Sequence, residues 1–331
     1  MSATLDFLLE PLDQWLDDPA TEEICIQEPF VAWVFSHGEF TRHENTRLDE
    51  QTIEDIAIVA AAQRQQDVNF GVPRWPLLAT DLVGRGRLQA ILEPCVTAGY
   101  PSLTVRRGSD DWPSLPELAA KGLFRNTSRT RPAKTPADAQ LRDLYLNDRY
   151  DEFLALAVRS KKSIILCGEN ASGKTHVSKA LIAEIPLHER LITIENAPEL
   201  RGLKHPNRVQ MFVDNAAKES GVKPIHLVSA ALRMRIGRLF LQEIKDGEET
   251  IAYLLAGQTG HRGSITTIHA GHCAAVFDRM RVLIKQTEGG AAVSDDDVNN
   301  QLFELVDVVA HCSRSPIGGF AVDEILYRHE T

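Results

Sequence analysis

Gly168-Glu169-Asn170-Ala171-Ser172-Gly173-Lys174-Thr175 decides the reading of this chain. An apolar run, 163–167, precedes it, and Val177, Ala180 and Leu181 follow it at helical spacing. Strand, glycine-framed loop and helix in that order match the pattern G-x-x-x-x-G-K-[ST]. Each residue type has a physical reason. Backbone N–H groups of Gly168, Glu169, Asn170, Ala171, Ser172 and Gly173 can surround a β-phosphate. Lys174 supplies charge to the β- and γ-phosphates, and the Thr175 hydroxyl ligates Mg²⁺. The loop therefore points to a nucleoside triphosphate with Mg²⁺, without saying what the energy is used for.

Outward from the loop, strands alternate with helices from about residue 140. Buried strands are expected at 191–194 and 238–244, a helix at 248–257 and a strand at 264–268. Segments 306–312 and 320–326 read as a hairpin around Pro316-Ile317-Gly318-Gly319. Alternating elements argue for an α/β sheet with helices on both faces. The N-terminal stretch has a different grammar. Leu5, Leu8, Leu9, Leu12 and Trp15 predict one amphipathic helix over 5–16. Short strands are expected at 24–27, 31–36 and 40–43, with His37-Gly38 as a hairpin turn. A helix over 49–65 carries Ile53, Ile56, Ala57 and Ala60 on one face, and strands follow at 88–92 and 102–106. This is a small α+β unit. Between the two lies a polar segment with Pro113, Pro116, Pro132, Pro136, Arg125, Arg129, Arg131 and Lys134. It reads as an interdomain linker, or as a basic surface element facing an anionic membrane or a partner. The expected division is an α+β domain over 1–110, a linker over 111–139 and a P-loop domain over 140–331. A length of 331 residues suits two domains.

Composition removes several classes. The apolar and charged fractions are those of an ordinary globular chain. No apolar run of about 18 residues occurs, so no transmembrane helix is predicted. The start of the chain lacks the basic region of a secretory signal. With 36 basic against 46 acidic residues the net charge is −10, which opposes non-specific coating of nucleic acid. Cys25, Cys95, Cys167, Cys273 and Cys312 are odd in number and scattered, as expected of buried thiols in a reducing cytoplasm.

Three further residues are candidates for chemistry. Glu243 ends the buried run that begins at Arg238, the place where a carboxylate polarises the attacking water or reaches the magnesium shell. Glu195 ends a second strand about twenty residues after Lys174. His269 closes the polar strand-flanked segment 260–270 and could contact the γ-phosphate. Either glutamate alone is equally compatible with an ordinary strand-terminal residue, and a lone histidine is more often structural, although this one ends a strand of the same α/β unit.

Taken in order, four segments resemble the secretion-ATPase superfamily: 168–175 as its Walker A, Leu191-Ile192-Thr193-Ile194-Glu195-Asn196 as its acidic box, Leu232-Arg233-Met234-Arg235 with Gln242-Glu243-Ile244-Lys245 as its Walker B region, and 259–270 as its histidine box. The wording of the last two is most similar to the type IV secretion and conjugal-transfer branch, the VirB-eleven type. More loosely, Trp15-Leu16-Asp17-Asp18-Pro19 resembles the opening of that branch. Arg87 to Pro94 and Ser102 to Arg106 resemble its strand pair carrying arginines toward the nucleotide. The resemblance implies a RecA-like P-loop ATPase domain behind a smaller α+β domain, hydrolysing ATP with Mg²⁺. It assigns catalytic roles to Lys174, Glu195, Glu243, His269, Arg87 and Arg106, with Arg107 the alternative to Arg106. It further implies a homo-oligomer, a hexameric ring with nucleotide between the two domains. The ring would be peripheral on the cytoplasmic face of the inner membrane, with inner-membrane components of a type IV secretion system and the secreted substrate as partners. No direct sequence-specific nucleic-acid contact is expected. The ring would power substrate transfer, pilus assembly or both. Alternatives are a pilus retraction or type II secretion ATPase, and a nucleotide-gated scaffold with little turnover. The chain departs from the pattern at Asn170-Ala171 (usually Thr-Gly), Asn196 (Asp), Ile236-Gly237 (Pro-Asp) and Gln242 (Gly). Alanine tolerates a left-handed backbone poorly, which predicts an altered or slower loop.

Overall fold

The computed structural model describes residues 3–63, 75–109, 111–128, 136–213, 215–315 and 317–329. The first sheet is built from β1 (Thr21–Glu28), β2 (Val31–Ser36), β3 (Glu39–Glu44), β4 (Leu77–Leu82), β5 (Gly86–Ile91) and β6 (Ser102–Arg107). Their order is β3-β2-β1-β6-β5-β4, and every pairing is antiparallel. One face is covered by helix Glu50–Gln63 and the N-terminal helical turns, which bury Leu5, Leu9, Leu12, Ile53 and Ile56 against Ile24, Ile26, Leu88 and Val105. The single helix expected over 5–16 is three pieces, Ala3–Leu9, a 3-10 turn Glu10–Leu12 and Asp13–Leu16. Pro11 causes the break, because it has no N–H and its ring clashes with the preceding turn of an α-helix.

The second sheet contains β7 (Ile164–Cys167), β8 (Leu191–Glu195), β9 (Arg208–Phe212), β10 (Arg238–Ile244), β11 (Ile265–Ile268), β12 (Val308–Arg314) and β13 (Phe320–Tyr327). The order is β13-β12-β7-β11-β10-β8-β9. All pairings are parallel except β12 with β13. Successive side chains of a strand point to opposite faces, and here both faces are buried. Ile165, Cys167, Ile192, Leu239 and Leu241 pack with helices Pro224–Ala231, Gly247–Gln258, Ala275–Lys285 and Asp295–Leu305. Ile164, Leu166, Leu191 and Phe240 pack with Pro136–Leu146, Tyr150–Arg159 and Lys174–Ala183 on the other side. This is the α/β fold with helices on both faces, and its parallel strands read as continuous apolar runs for that reason.

The segment expected as a linker contains helix Leu115–Ala120, capped by Ser114 and Glu117, and helix Pro136–Leu146 begins inside it. Arg129, Arg131, Pro132 and Lys134 lie outside the described residues, as do the end of the helix expected over 49–65 and Pro316 of the expected hairpin. The two sheets touch directly. The buried Arg190 donates to Gln27 and Asn207 at 2.9 and 2.5 Å and to the Met234 carbonyl at 2.9 Å. Arg235 pairs with Glu22 and Glu23 at 3.0 Å and stacks 3.3 Å from the Phe35 ring centre. All five cysteines are buried free thiols.

Candidate nucleotide-binding site

In a parallel sheet the carboxyl ends of the strands open onto one edge, where ligands bind. Four candidate segments converge there: the loop after β7, Glu195 at the end of β8, Glu243 near the end of β10, and His269 just after β11. The neighbouring order β7-β11-β10-β8 brings their tips together.

The loop passes from β7 into helix Lys174–Ala183 through left-handed backbone at Gly168, Ala171 and Gly173, with φ of 143°, 58° and 95°. Glycine is required at two of these for space as well as for conformation. A Cβ on Gly168 would collide with the Cys312 carbonyl, and one on Gly173 would lie 2.5 Å from the Phe320 ring. Ala171 holds its left-handed conformation without glycine, so the loop keeps its turn despite the substitution.

A cleft of about 500 Å³ opens over the loop, lined also by Glu199, Gln242, Glu243, His269, Arg314 and Phe320. Lys174 Nζ donates to the carbonyls of Gly168 and Glu169 at 2.9 and 2.8 Å and lies 3.3 Å from His269 Nδ1. Burial holds the Lys174 ammonium below its ordinary pKa, and the Glu243 charge partly offsets this. An anion arriving at the loop would favour the charged form further. His269 Nε2 is 2.7 Å from Glu243 Oε1, and Nδ1 is 3.1 Å from the Gly168 carbonyl oxygen. The other Glu243 oxygen is 3.1 Å from Lys245 Nζ. Burial pushes the Cys312 thiol, beneath the loop, up to about 12, so it stays protonated.

Glu195 lies differently. Its carboxylate is 1% exposed. Oε1 accepts from Thr193 Oγ1 at 2.7 Å and Gln210 Nε2 at 3.2 Å, and Oε2 accepts the backbone N–H groups of Glu199 and Leu200 at 3.0 and 3.1 Å. It shapes the turn after β8 and does not line the cleft. Glu199, which sequence reasoning missed, does: its Oε2 accepts the Thr175 hydroxyl at 2.9 Å. A second acid four residues after Glu195 was the available signal. Arg314 and Phe320, from β12 and β13, were also missed, and no local pattern marks them.

Arg87 and Arg106 are directly paired across β5 and β6. They line a separate cleft of about 590 Å³ with Asp81, Arg107 and Ser109, and Arg87 lies 3.8 Å from Asp81. Among the described residues, none of the first sheet lines the cleft over the phosphate loop. The structure thus gathers Lys174, Thr175, Glu243 and His269 and leaves the two arginines elsewhere in the same chain.

The donor set suits a magnesium nucleotide. Mg²⁺ is usually held by one or two protein oxygens with the phosphates and waters, not by an all-protein cage. Among the described residues no cluster of three or more His, Cys, Asp or Glu could hold a metal alone, whereas the Thr175 hydroxyl already faces the Glu199 carboxylate.

Residues 133–313 match the family model described as Type II/IV secretion system protein. Protein VirB11 of Rhizobium radiobacter is 39% identical over 309 residues, covering 92% of this chain and 88% of that protein. Type IV secretion system protein VirB11 of Bartonella quintana (strain Toulouse) is 36% identical over 331 residues, covering 96% and 91%. The crystal structure of the VirB11 ATPase from the Brucella suis type IV secretion system, in complex with sulphate, superposes with a TM-score of 0.92. It is 32% identical, covering 99% of this chain and 96% of that one.

Proposed function

The chain belongs to the VirB11 family of type IV secretion ATPases, and from that premise we propose that it hydrolyses ATP in the cleft over the phosphate loop to power substrate transfer, pilus assembly or both. The observation that carries this reading is the continuous contact from Lys174 through His269 to Glu243. Glu243 orients and polarises the attacking water, and Lys174 stabilises charge on the transferred phosphoryl group. His269 touches both Glu243 and the loop carbonyl, so it is placed to register the γ-phosphate. Thr175 and Glu199 would hold Mg²⁺, which when bound neutralises charge on the β- and γ-oxygens. Glu195 acts at one remove, by holding the turn that carries Glu199.

The paired arginines suit phosphate binding, since guanidinium groups are always charged and grip oxygens in a fork. Their separation from the loop within one chain supports a ring, proposed as a hexamer, in which they complete the site of a neighbouring copy. Among the described residues no helix is long and apolar enough to cross a membrane. The proposed position is peripheral, on the cytoplasmic face of the inner membrane beside inner-membrane components of the secretion system. The test is ATP hydrolysis per subunit against protein concentration, for wild type and Lys174→Ala. Specific activity should rise with concentration for wild type and be lost in the variant. Equal activity in the two would end the reading.

A further inference from the structure

Gln242 stands immediately before Glu243, where the resembled pattern has glycine. The backbone ladder between β8 and β10 ends at Ile194 and Leu241, and the β10–β11 register shifts between Leu241 and Ile244. Such irregularities re-aim side chains beside active sites, and both Gln242 and Glu243 line the cleft. Beyond the last backbone pair, the Gln242 side chain continues the connection. Its Oε1 accepts the N–H groups of Asn196 and Ala197 at 2.6 and 3.3 Å. Its own carbonyl accepts the Thr267 hydroxyl at 2.8 Å, which anchors it to β11. The far end of the same turn is held by Glu195 through the Glu199 and Leu200 amides. Glu199 is therefore suspended between two fixed points, with its carboxylate on the Thr175 hydroxyl.

We propose that Gln242 is a positioning residue: its side-chain oxygen latches the 196–199 turn and so keeps Glu199 at Thr175, where the nucleotide's Mg²⁺ would sit. Glycine at this position has no side chain to do this. The inference rests on the proposed nucleotide site but not on turnover.

Two full-length variants separate the latch from simple bulk. Gln242→Met keeps length and removes the acceptor, whereas Gln242→Glu keeps an acceptor oxygen. Backbone hydrogen exchange across 195–200 and binding of a fluorescent ATP analogue are measured, the latter against Mg²⁺ concentration and again in EDTA. Losing two ordinary hydrogen bonds predicts exchange at Asn196 and Ala197 faster by roughly 5- to 30-fold in Gln242→Met. The Mg²⁺ midpoint for tight binding rises by a similar factor, binding in EDTA is unchanged, and Gln242→Glu restores both quantities. Unchanged exchange, an unmoved Mg²⁺ midpoint, equal shifts in both variants, or weaker binding in EDTA each overturns the proposal. ATP turnover is read separately. A wild type that binds Mg²⁺–nucleotide but hydrolyses no faster than Lys174→Ala sinks the hydrolysis reading and leaves the latch comparison decisive.

Discussion

Ala171→Gly measures whether the phosphate loop of this chain stores strain. Ala171 sits at φ 58°, where the Cβ of an L-residue costs about 1–2 kcal/mol. Glycine escapes that cost, but its more flexible unfolded chain weighs about 0.4–1 kcal/mol against it. The difference is a net stabilisation of roughly 0.5–1 kcal/mol. The Ala171 side chain is exposed, so no core contact is lost to offset the gain. Ala180 supplies the control. It is exposed inside helix Lys174–Ala183, where the same substitution loses about 1 kcal/mol. Two chemically identical changes, nine positions apart in one supersecondary unit, should therefore move stability in opposite directions. Urea unfolding in nucleotide-free buffer reads this as midpoints at a common m-value. A midpoint for Ala171→Gly below wild type, beside that of Ala180→Gly, would refute the strain argument.

Glu243→Gln keeps the size of the side chain and removes its charge. Turnover should fall by about 10²- to 10⁴-fold with nucleotide binding retained, and unchanged turnover in a steady-state assay removes Glu243 from the mechanism. Glu189 grips the buried Arg238 at 2.8 and 3.1 Å. Burial would raise its carboxyl, but the bonds to Arg238 and Lys161 prevail and hold it below the usual range. Such a group stabilises above its unfolded pKa, about 4.3, and the contribution is lost as pH falls through the lower folded value. Glu189→Gln should cost about 3–5 kcal/mol near neutrality by orphaning the arginine. The gap to wild type should narrow from about pH 5 downward in acid-dependent urea melts, and a gap that widens contradicts the assignment. Chains carrying Lys174→Ala, mixed equally with chains carrying both Arg87→Ala and Arg106→Ala, should recover about a quarter of wild-type hydrolysis if arginines act between copies in a closed ring. They should recover none if arginines act within a chain.

The central strands of the second sheet were legible because they are buried on both faces and so appear as unbroken apolar runs. The strand–loop–helix unit was legible because its chemistry is contiguous in sequence. β4 and β9 were missed. Both stand last in their sheets and have mixed burial, so their pattern is weaker. Pro11 could have been read as a helix break, yet the leucine spacing on either side of it argued for continuity. At the site, Glu243 and His269 were readable because one lies next to the last residue of β10 and the other directly follows β11. Glu195 occupies the same kind of position but is turned inward, since four donors from β8, β9 and the following turn consume both its oxygens. No periodicity reports such a choice. The placement of Arg87 and Arg106 depends on how one sheet docks on the other, through Arg190 and Arg235, and that is a long-range property absent from any local window.

The departures from the family pattern, read one at a time, look like independent losses: a carboxylate missing at Asn196, a bulky side chain at Gln242. The geometry makes these two one feature. Gln242 Oε1 binds the backbone N–H of residue 196, not its side chain. The latch is therefore indifferent to whether residue 196 is Asn or Asp, and the lost carboxylate is not the group it holds. What it does hold is the turn that ends at Glu199, whose carboxylate faces Thr175. A buried or half-buried amide without a partner costs about 1–3 kcal/mol, so a glycine at 242 would require another acceptor, or water, at the Asn196 amide. In this chain the glutamine meets that requirement from within the strand that carries Glu243. Glu243, the proposed water-polarising residue, and Gln242, the proposed anchor of the second acidic group, thus sit on adjacent positions of β10. A shift of that strand end would move both together, which ties the position of Glu199 to the position of Glu243 by covalent geometry instead of by separate loops.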